Sequence, residues 1–149
     1  MSTATAITSL IARYGELIDA GDFAGVGALF AHGAFISGGH SIRGSEGVEE
    51  MLRRTVIRYD DGTPRTHHVT TDVVVEFDEQ ANTATARSAI TVFQALPDFA
   101  LQPVAAGRYR DRFERHDGAW RFAERRVDIR FTGDLSRHLR GAGRSALDR

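Results

Sequence analysis

Two hydrophobic rhythms divide the chain near Pro64: apolar residues recur at helical spacing before it and alternate after it. Ile7, Leu10, Ile11, Tyr14, Leu17 and Ile18 follow the i, i+3, i+4, i+7 rule and predict an amphipathic helix over residues 4–20. Gly21 stops it, and Asp22 reads as the cap of a second, shorter helix that buries Phe23, Val26, Leu29 and Phe30. Ala34 to Ser37 and His40 to Ile42 form a hairpin about Gly38-Gly39. Ser45 reads as the cap of a third helix, with Glu46, Glu49 and Glu50 near the positive end of its dipole and Val48, Met51, Leu52 and Val56 inward.

From Arg65 the period is two. The stretch from Arg65 to Phe77 opens on adjacent histidines and sets Val69, Val73, Val75 and Phe77 on one face. Thr83 to Gln94, Gly107 to His116 and Ala119 to Phe131 read as further long strands, the last two joined by the tight turn Asp117-Gly118. Leu96 to Ala106 reads as a looser crossover. In the last strand Trp120 and Phe122 are apolar at even positions, but Val127, Ile129 and Phe131 at odd ones. One extra residue between Ala123 and Arg126 reconciles them, which predicts a β-bulge and a sharply bent sheet. Helices first and a long antiparallel sheet afterwards define an α+β fold, whose bent sheet leaves a hollow against the first helix. Residues 1–135 are expected to form a single domain, and 136–149, rich in Gly, Ser and Arg, a flexible tail.

Composition narrows the chemistry. The chain has 149 residues, one domain by length, and a net charge of -1, which argues against a nucleic-acid partner. No apolar run is long enough to span a membrane, and the first residues lack the features of a signal peptide, so the expectation is a cytoplasmic protein. Cysteine is absent, and all 19 basic residues are arginine. Thiol nucleophiles, thiolate metal sites and lysine Schiff bases are thereby excluded, leaving His, Asp, Glu, Tyr, Ser, Thr and Arg to do any chemistry.

Tyr14-Gly15-Glu16-Leu17-Ile18-Asp19-Ala20-Gly21-Asp22, the Ile42-Arg43-Gly44 turn, Arg65-Thr66-His67-His68, Gly107-Arg108-Tyr109 and Asp117-Gly118-Ala119-Trp120-Arg121-Phe122 occur in an order that resembles the SnoaL-like branch of the NTF2-like superfamily. The resemblance spans residues 5–135 and implies an NTF2-like cone, with three N-terminal helices packed in a strongly bent, mostly antiparallel sheet. Within the branch the order is most similar to scytalone dehydratase, hexachlorocyclohexane dehydrochlorinase and bile-acid 7α-dehydratase. Those enzymes share an Asp-His dyad, which by position falls on Asp19 and His68. Tyr14 matches a tyrosine that precedes the aspartate in the bile-acid enzyme. Arg130 resembles an arginine closing the same segment in two of the three. The second histidine that scytalone dehydratase carries on the next strand has no counterpart in Ala89 to Gln94, nor has the acid that the bile-acid enzyme carries there.

The resemblance implies a lyase or isomerase that needs no cofactor and no metal and acts on a small, largely apolar cyclic ligand. An imidazole of pKa ~6.5 takes and returns protons near neutrality, and a carboxylate on its other nitrogen fixes the tautomer. In this scheme Asp19 orients His68 as the base, Tyr14 donates to a developing oxyanion, and Arg130 binds a carboxylate or enolate of the substrate. Simple alternation puts His67 inward, whereas the resemblance favours His68. The plain alternatives are a solvated helix end for Asp19, a core residue for Tyr14 and an exposed strand residue for Arg130. Asp111 reads as a buried acid or the partner of an arginine, and His32, His40, His116 and His138 show no metal-ligand spacing. A non-catalytic ligand-binding or subunit-assembly protein, and a polyketide cyclase or hydroxylase-like member, are the other readings. Exposed sheet faces in such folds pair, so a homodimer or homotrimer is expected.

Overall fold

The structure is a computed structural model, and it describes residues 1–142. Three helices precede the four long strands: α1 (Thr3–Asp19), α2 (Phe23–Leu29) and α3 (Ser45–Thr55). Six strands follow the order β2-β1-β6-β5-β4-β3, with β1 (Ala34–Ser37), β2 (His40–Arg43), β3 (Thr66–Asp78), β4 (Thr83–Leu96), β5 (Phe99–His116) and β6 (Ala119–Thr132). Every pairing is antiparallel except β1 with β6. The expected α+β cone is therefore present: α1 lies in the bent sheet, burying Ile7, Ile11, Tyr14, Leu17 and Ile18 against Ile90, Val92, Tyr109 and Phe122. Asp22 caps α2 by accepting the Gly25 N–H. Ser45, expected as the cap of α3, is instead its first residue, and Gly44 at φ 84° takes the cap position. No described helix is long and apolar enough to cross a membrane.

Register irregularities bend the sheet and decide which side chains reach the interior. Arg112 pairs with Glu124 and Phe113 with Phe122, leaving Ala123 as the expected extra residue. That slip turns Arg125 inward opposite Asp111. A second one was not foreseen: Gly107 pairs with Ile129 but Ala106 with Phe131, so Arg130 is extra and Phe131 swings out to 72% exposure. On β3, Thr71 pairs with Ala89 and Val74 with Arg87, so Asp72 and Val73 together oppose Ser88, with Asp72 at φ 54°. Val69 and Val75 therefore lie on opposite faces, not the same one. Before the bulge, His68 and Thr70 stand opposite buried Val92 and Ile90; after it, Val75 stands opposite buried Ala86.

The expected crossover from Leu96 to Ala106 is instead a hairpin. Pro97-Asp98 turns the chain, Leu96 pairs with Phe99, and β5 runs from there without a break. Register slips at Val92/Phe93 and Gln94/Leu96 scramble the alternation that would have revealed it.

The expected tail is also corrected over its first half. After Asp134 the chain crosses the end of the cone as a strap, burying Leu135 and His138. The Ile57 N–H donates to the His138 carbonyl at 2.9 Å and the Arg140 N–H to the Thr55 carbonyl at 2.9 Å, so the strap is bonded to the exit of α3. Residues 143–149 of that expected tail lie outside the described residues.

Candidate active site

Asp19 ends α1 at the mouth of the cone, and β3 begins beside it. Gly15, one turn earlier, lets the two elements close: a Cβ there would stand 3.4 Å from the His68 Cβ. Gly21, at φ 75°, packs so tightly on the loop before β3 that a Cβ would fall 2.0 Å from the Gly62 carbonyl oxygen. These approaches bring the carboxylate onto the strand. Asp19 Oδ1 lies 2.6 Å from His68 Nδ1 and accepts from the Thr66 hydroxyl at 2.9 Å, while Oδ2 accepts the His68 backbone N–H at 2.8 Å. Three donors from one strand entrance thus fix one carboxylate.

The consequences are electrostatic and tautomeric. Burial by itself would raise the Asp19 carboxyl, but the His68 side-chain and backbone hydrogen bonds outweigh it and hold the group below the usual aspartate range. An ionised carboxylate only accepts, so His68 carries its proton on Nδ1 and leaves the Nε2 lone pair free. The His68 side chain is 8% exposed, whereas His67 points out to solvent. The bulge at Asp72-Val73 resolves the two readings of the pair in favour of His68.

Tyr14 lies deeper. It is buried and packs edge-on against Phe30 and Tyr109. The Arg125 guanidinium stacks 4.3 Å from the Tyr14 ring centre and 3.6 Å from that of Tyr109. Arg125 also forms a bidentate pair with Asp111 at 2.8 and 2.9 Å, both side chains wholly buried. Burial pushes the Tyr14 hydroxyl up to about 12, against a partial pull downward from Arg125, so Tyr14 is a neutral donor and not a base. Burial raises Tyr109 further, with the negative charges of Asp111 and Asp19 adding to it. Asp111 is thus the arginine partner foreseen as one alternative. Arg130 is exposed, and it makes no ion pair or side-chain hydrogen bond among the described residues. The pairings His68–Val92, Val92–Ala105 and Ala105–Thr132 set Thr132 level with the dyad, so Arg130, two residues earlier on β6, is three strands away, about 14 Å at the usual spacing.

Sequence reasoning missed two parts of this site. Tyr109 sits in a quoted motif, but only the register of β5 shows that it shares the interior with Tyr14. His138, set aside as scattered, is carried in by the strap to within electrostatic reach of His68 and Asp19. No periodic signal marks a strap, so nothing in the sequence pattern predicted it.

The expected hollow is occupied in this conformation: Tyr14, Tyr109, Phe30, Phe122 and Arg125 fill its deep end and the strap covers its mouth. Two open hollows lie elsewhere. One, of about 670 Å³, is on the outer sheet face, lined by Glu76, Arg87, Arg108, Arg110, Arg112 and Arg126 among others. The other, of about 300 Å³, lies between Tyr59, Arg65 and Leu96. No group of three His, Asp or Glu side chains placed to hold a metal occurs among the described residues.

Three helices packed in a bent six-stranded sheet define an NTF2-like fold, and the comparisons with known proteins narrow that class. Residues 1–126 match the SnoaL-like domain family, and the chain belongs to it. It is 32% identical to Rv3472 of Mycobacterium tuberculosis, a protein of unknown function solved as an aspartate-to-asparagine variant; the TM-score is 0.71, covering 85% of this chain and 71% of that one. A scytalone dehydratase candidate from Novosphingobium aromaticivorans has 20% identity and a TM-score of 0.70, over 88% of this chain and 86% of its own. A hexachlorocyclohexane dehydrochlorinase from Novosphingobium barchaimii has 18% identity and a TM-score of 0.70, over 90% of each chain. At such identities these last two share the fold. No curated protein matches the chain.

Proposed function

We propose that the protein is a cofactor-independent lyase or isomerase that removes a proton from carbon in a small, largely apolar cyclic substrate. The observation that carries this reading is the 2.6 Å contact between Asp19 Oδ1 and His68 Nδ1, buttressed by Thr66 and the His68 backbone. His68 Nε2 takes the proton, and Asp19 stabilises the imidazolium that results. Tyr14, neutral and buried, donates to the oxygen on which negative charge develops. Elimination of a leaving group or return of the proton at another carbon completes the reaction. Arg130, exposed and three strands from the dyad, is assigned to an anionic substituent that reaches out of the cone. The SnoaL-like family and the dehydratase and dehydrochlorinase folds support this class. Exposed Phe131 and Leu101, each 72% accessible, support pairing of the protein into a homodimer or homotrimer.

The test is ring opening of 5-nitrobenzisoxazole, a small bicyclic whose C–H proton goes to the base as the N–O bond breaks, forming the nitrile and phenolate of a single cyanonitrophenolate product. Saturable turnover is expected, with His68→Ala slowing it roughly 10²- to 10⁴-fold in a chain whose circular dichroism is unchanged. Equal rates in the two proteins would remove His68 from the mechanism. A second reading, a non-catalytic binding or assembly protein, is favoured by one observation: neither open hollow is lined by Asp19 or His68. Absence of turnover together with ligand binding on the outer sheet face would establish it.

A further inference from the structure

The strap brings a second imidazole to the dyad, and its environment is unusual for a structural histidine. His138 is 8% exposed, yet its Nδ1 has no hydrogen-bond partner among the described residues. Structural histidines at that depth are bonded, because a desolvated polar atom without a partner costs stability. Nor is the strap loosely draped. The Gln94 amide donates both to the Pro64 carbonyl at 3.0 Å and to the Arg137 carbonyl at 2.9 Å, tying the residue beside His138 to the start of β3. Gln94 itself pairs with Thr66, which bonds Asp19. Arg137 adds an ion pair with Asp98 at 2.6 Å, and the Tyr59 hydroxyl donates to the Arg137 carbonyl. One amide side chain therefore couples the strap to the entrance of the dyad strand.

We propose that His138 is a ligand-contacting residue of the Asp19–His68 site, delivered by the strap, and that its free Nδ1 hydrogen-bonds the ligand oxygen that gains charge as His68 takes a proton from carbon. This rests on the reading of the dyad as a base. The chemistry suits the position. Burial, with a smaller push from His68 against a pull from Asp19, lowers the His138 imidazole to about 4, so it is neutral when His68 is at work. A neutral ring beside His68 does not oppose its becoming an imidazolium, and its N–H polarises an oxygen without adding charge. The strap also covers the mouth, so the ligand enters when residues 135–140 lift and meets His138 when they return.

The experiment compares His138→Phe, His138→Gln and His68→Ala on 5-nitrobenzisoxazole, whose ring oxygen gains charge as the proton leaves. His138→Phe is expected to lower kcat about 100-fold with KM little changed, and His138→Gln, which keeps an N–H donor, to restore part of the loss. Backbone amide exchange over residues 135–140 is to keep its wild-type rate in both variants. Wild-type kcat in His138→Phe, with His68→Ala inactive, would overturn the proposal and leave the dyad intact. Loss of amide protection together with turnover in both His138 variants would make His138 a mere cover and overturn it as well. A fully active His68→Ala removes the base, and the assignment of His138 falls with it.

Discussion

Asp19→Asn isolates what the carboxylate does to the imidazole, because the amide keeps the shape but offers an N–H where Nδ1 expects an acceptor. The proton then shifts to Nε2, and turnover is expected to fall roughly 10²- to 10⁴-fold at unchanged KM, measured on the probe above. The same aspartate contributes to stability. Its folded-state value lies below the ordinary one, so its contribution is complete above the unfolded value and is lost as pH falls through the folded value. His138 acts in a higher window. Its imidazole sits at about 4 in the fold, so below the ordinary ~6.5 the unfolded chain takes up the proton first. Stability is therefore full above pH ~6.5 and erodes by roughly 3 kcal/mol between there and about 4. Urea titrations of wild type and His138→Gln across that range check it, the variant showing the smaller slope. A third residue-scale case is the interior pair. Arg125→Met or Asp111→Asn alone is expected to cost about 3–5 kcal/mol, while the double change to apolar residues is expected to be near neutral. At this scale the sequence was partly legible: Asp19, His68 and Tyr14 were in view, but simple alternation pointed to His67. The deciding bulge is made by Asp72 in a left-handed conformation, which no hydrophobic pattern announces.

Elements with a clean period were readable, and those with interrupted ones were not. The stripe on α1 and the parity shift in β6 predicted the helix and the bulge at Ala123, because each repeats over many residues. β5 was cut short because its first residues, Phe99 to Val104, pass through two register slips in their pairing with β4. The strap has no period at all; its order comes from Leu135 and Leu139 joining the core and from backbone bonds to α3. Such an element opens more cheaply than the sheet. Hydrogen exchange is expected to show residues 135–140 exchanging well before β4 and β5, with their protection relative to the intrinsic exchange rate at each pH falling as pH drops from 6.5 toward 4 and His138 takes a proton. Uniform protection across strap and sheet would contradict a hinged cover.

For the whole molecule, the two sides of the sheet have opposite characters. The inner face is aromatic with one neutralised ion pair, whereas the outer face sets Arg87, Arg110 and Arg126 directly abreast on neighbouring strands. Like charges in adjacent cross-strand positions repel, by about 0.2–1 kcal/mol for each pair, and salt screens them. Arg110→Thr is therefore expected to raise the melting temperature in low salt and to lose most of that gain at high ionic strength. The cone itself was legible from the order of elements and from the resemblance, since both depend on the sequence of helices and strands. That its mouth is covered by residues 135–140 was not. The strap has a practical corollary for anyone preparing the protein. A purification handle on the C-terminal side would follow residues 135–140 in the chain and load the segment that lies over Asp19 and His68. One fused ahead of Met1 would sit at the far end of a 17-residue helix, about 25 Å from Asp19. Two laboratories using opposite tags would then assay differently gated forms of one polypeptide.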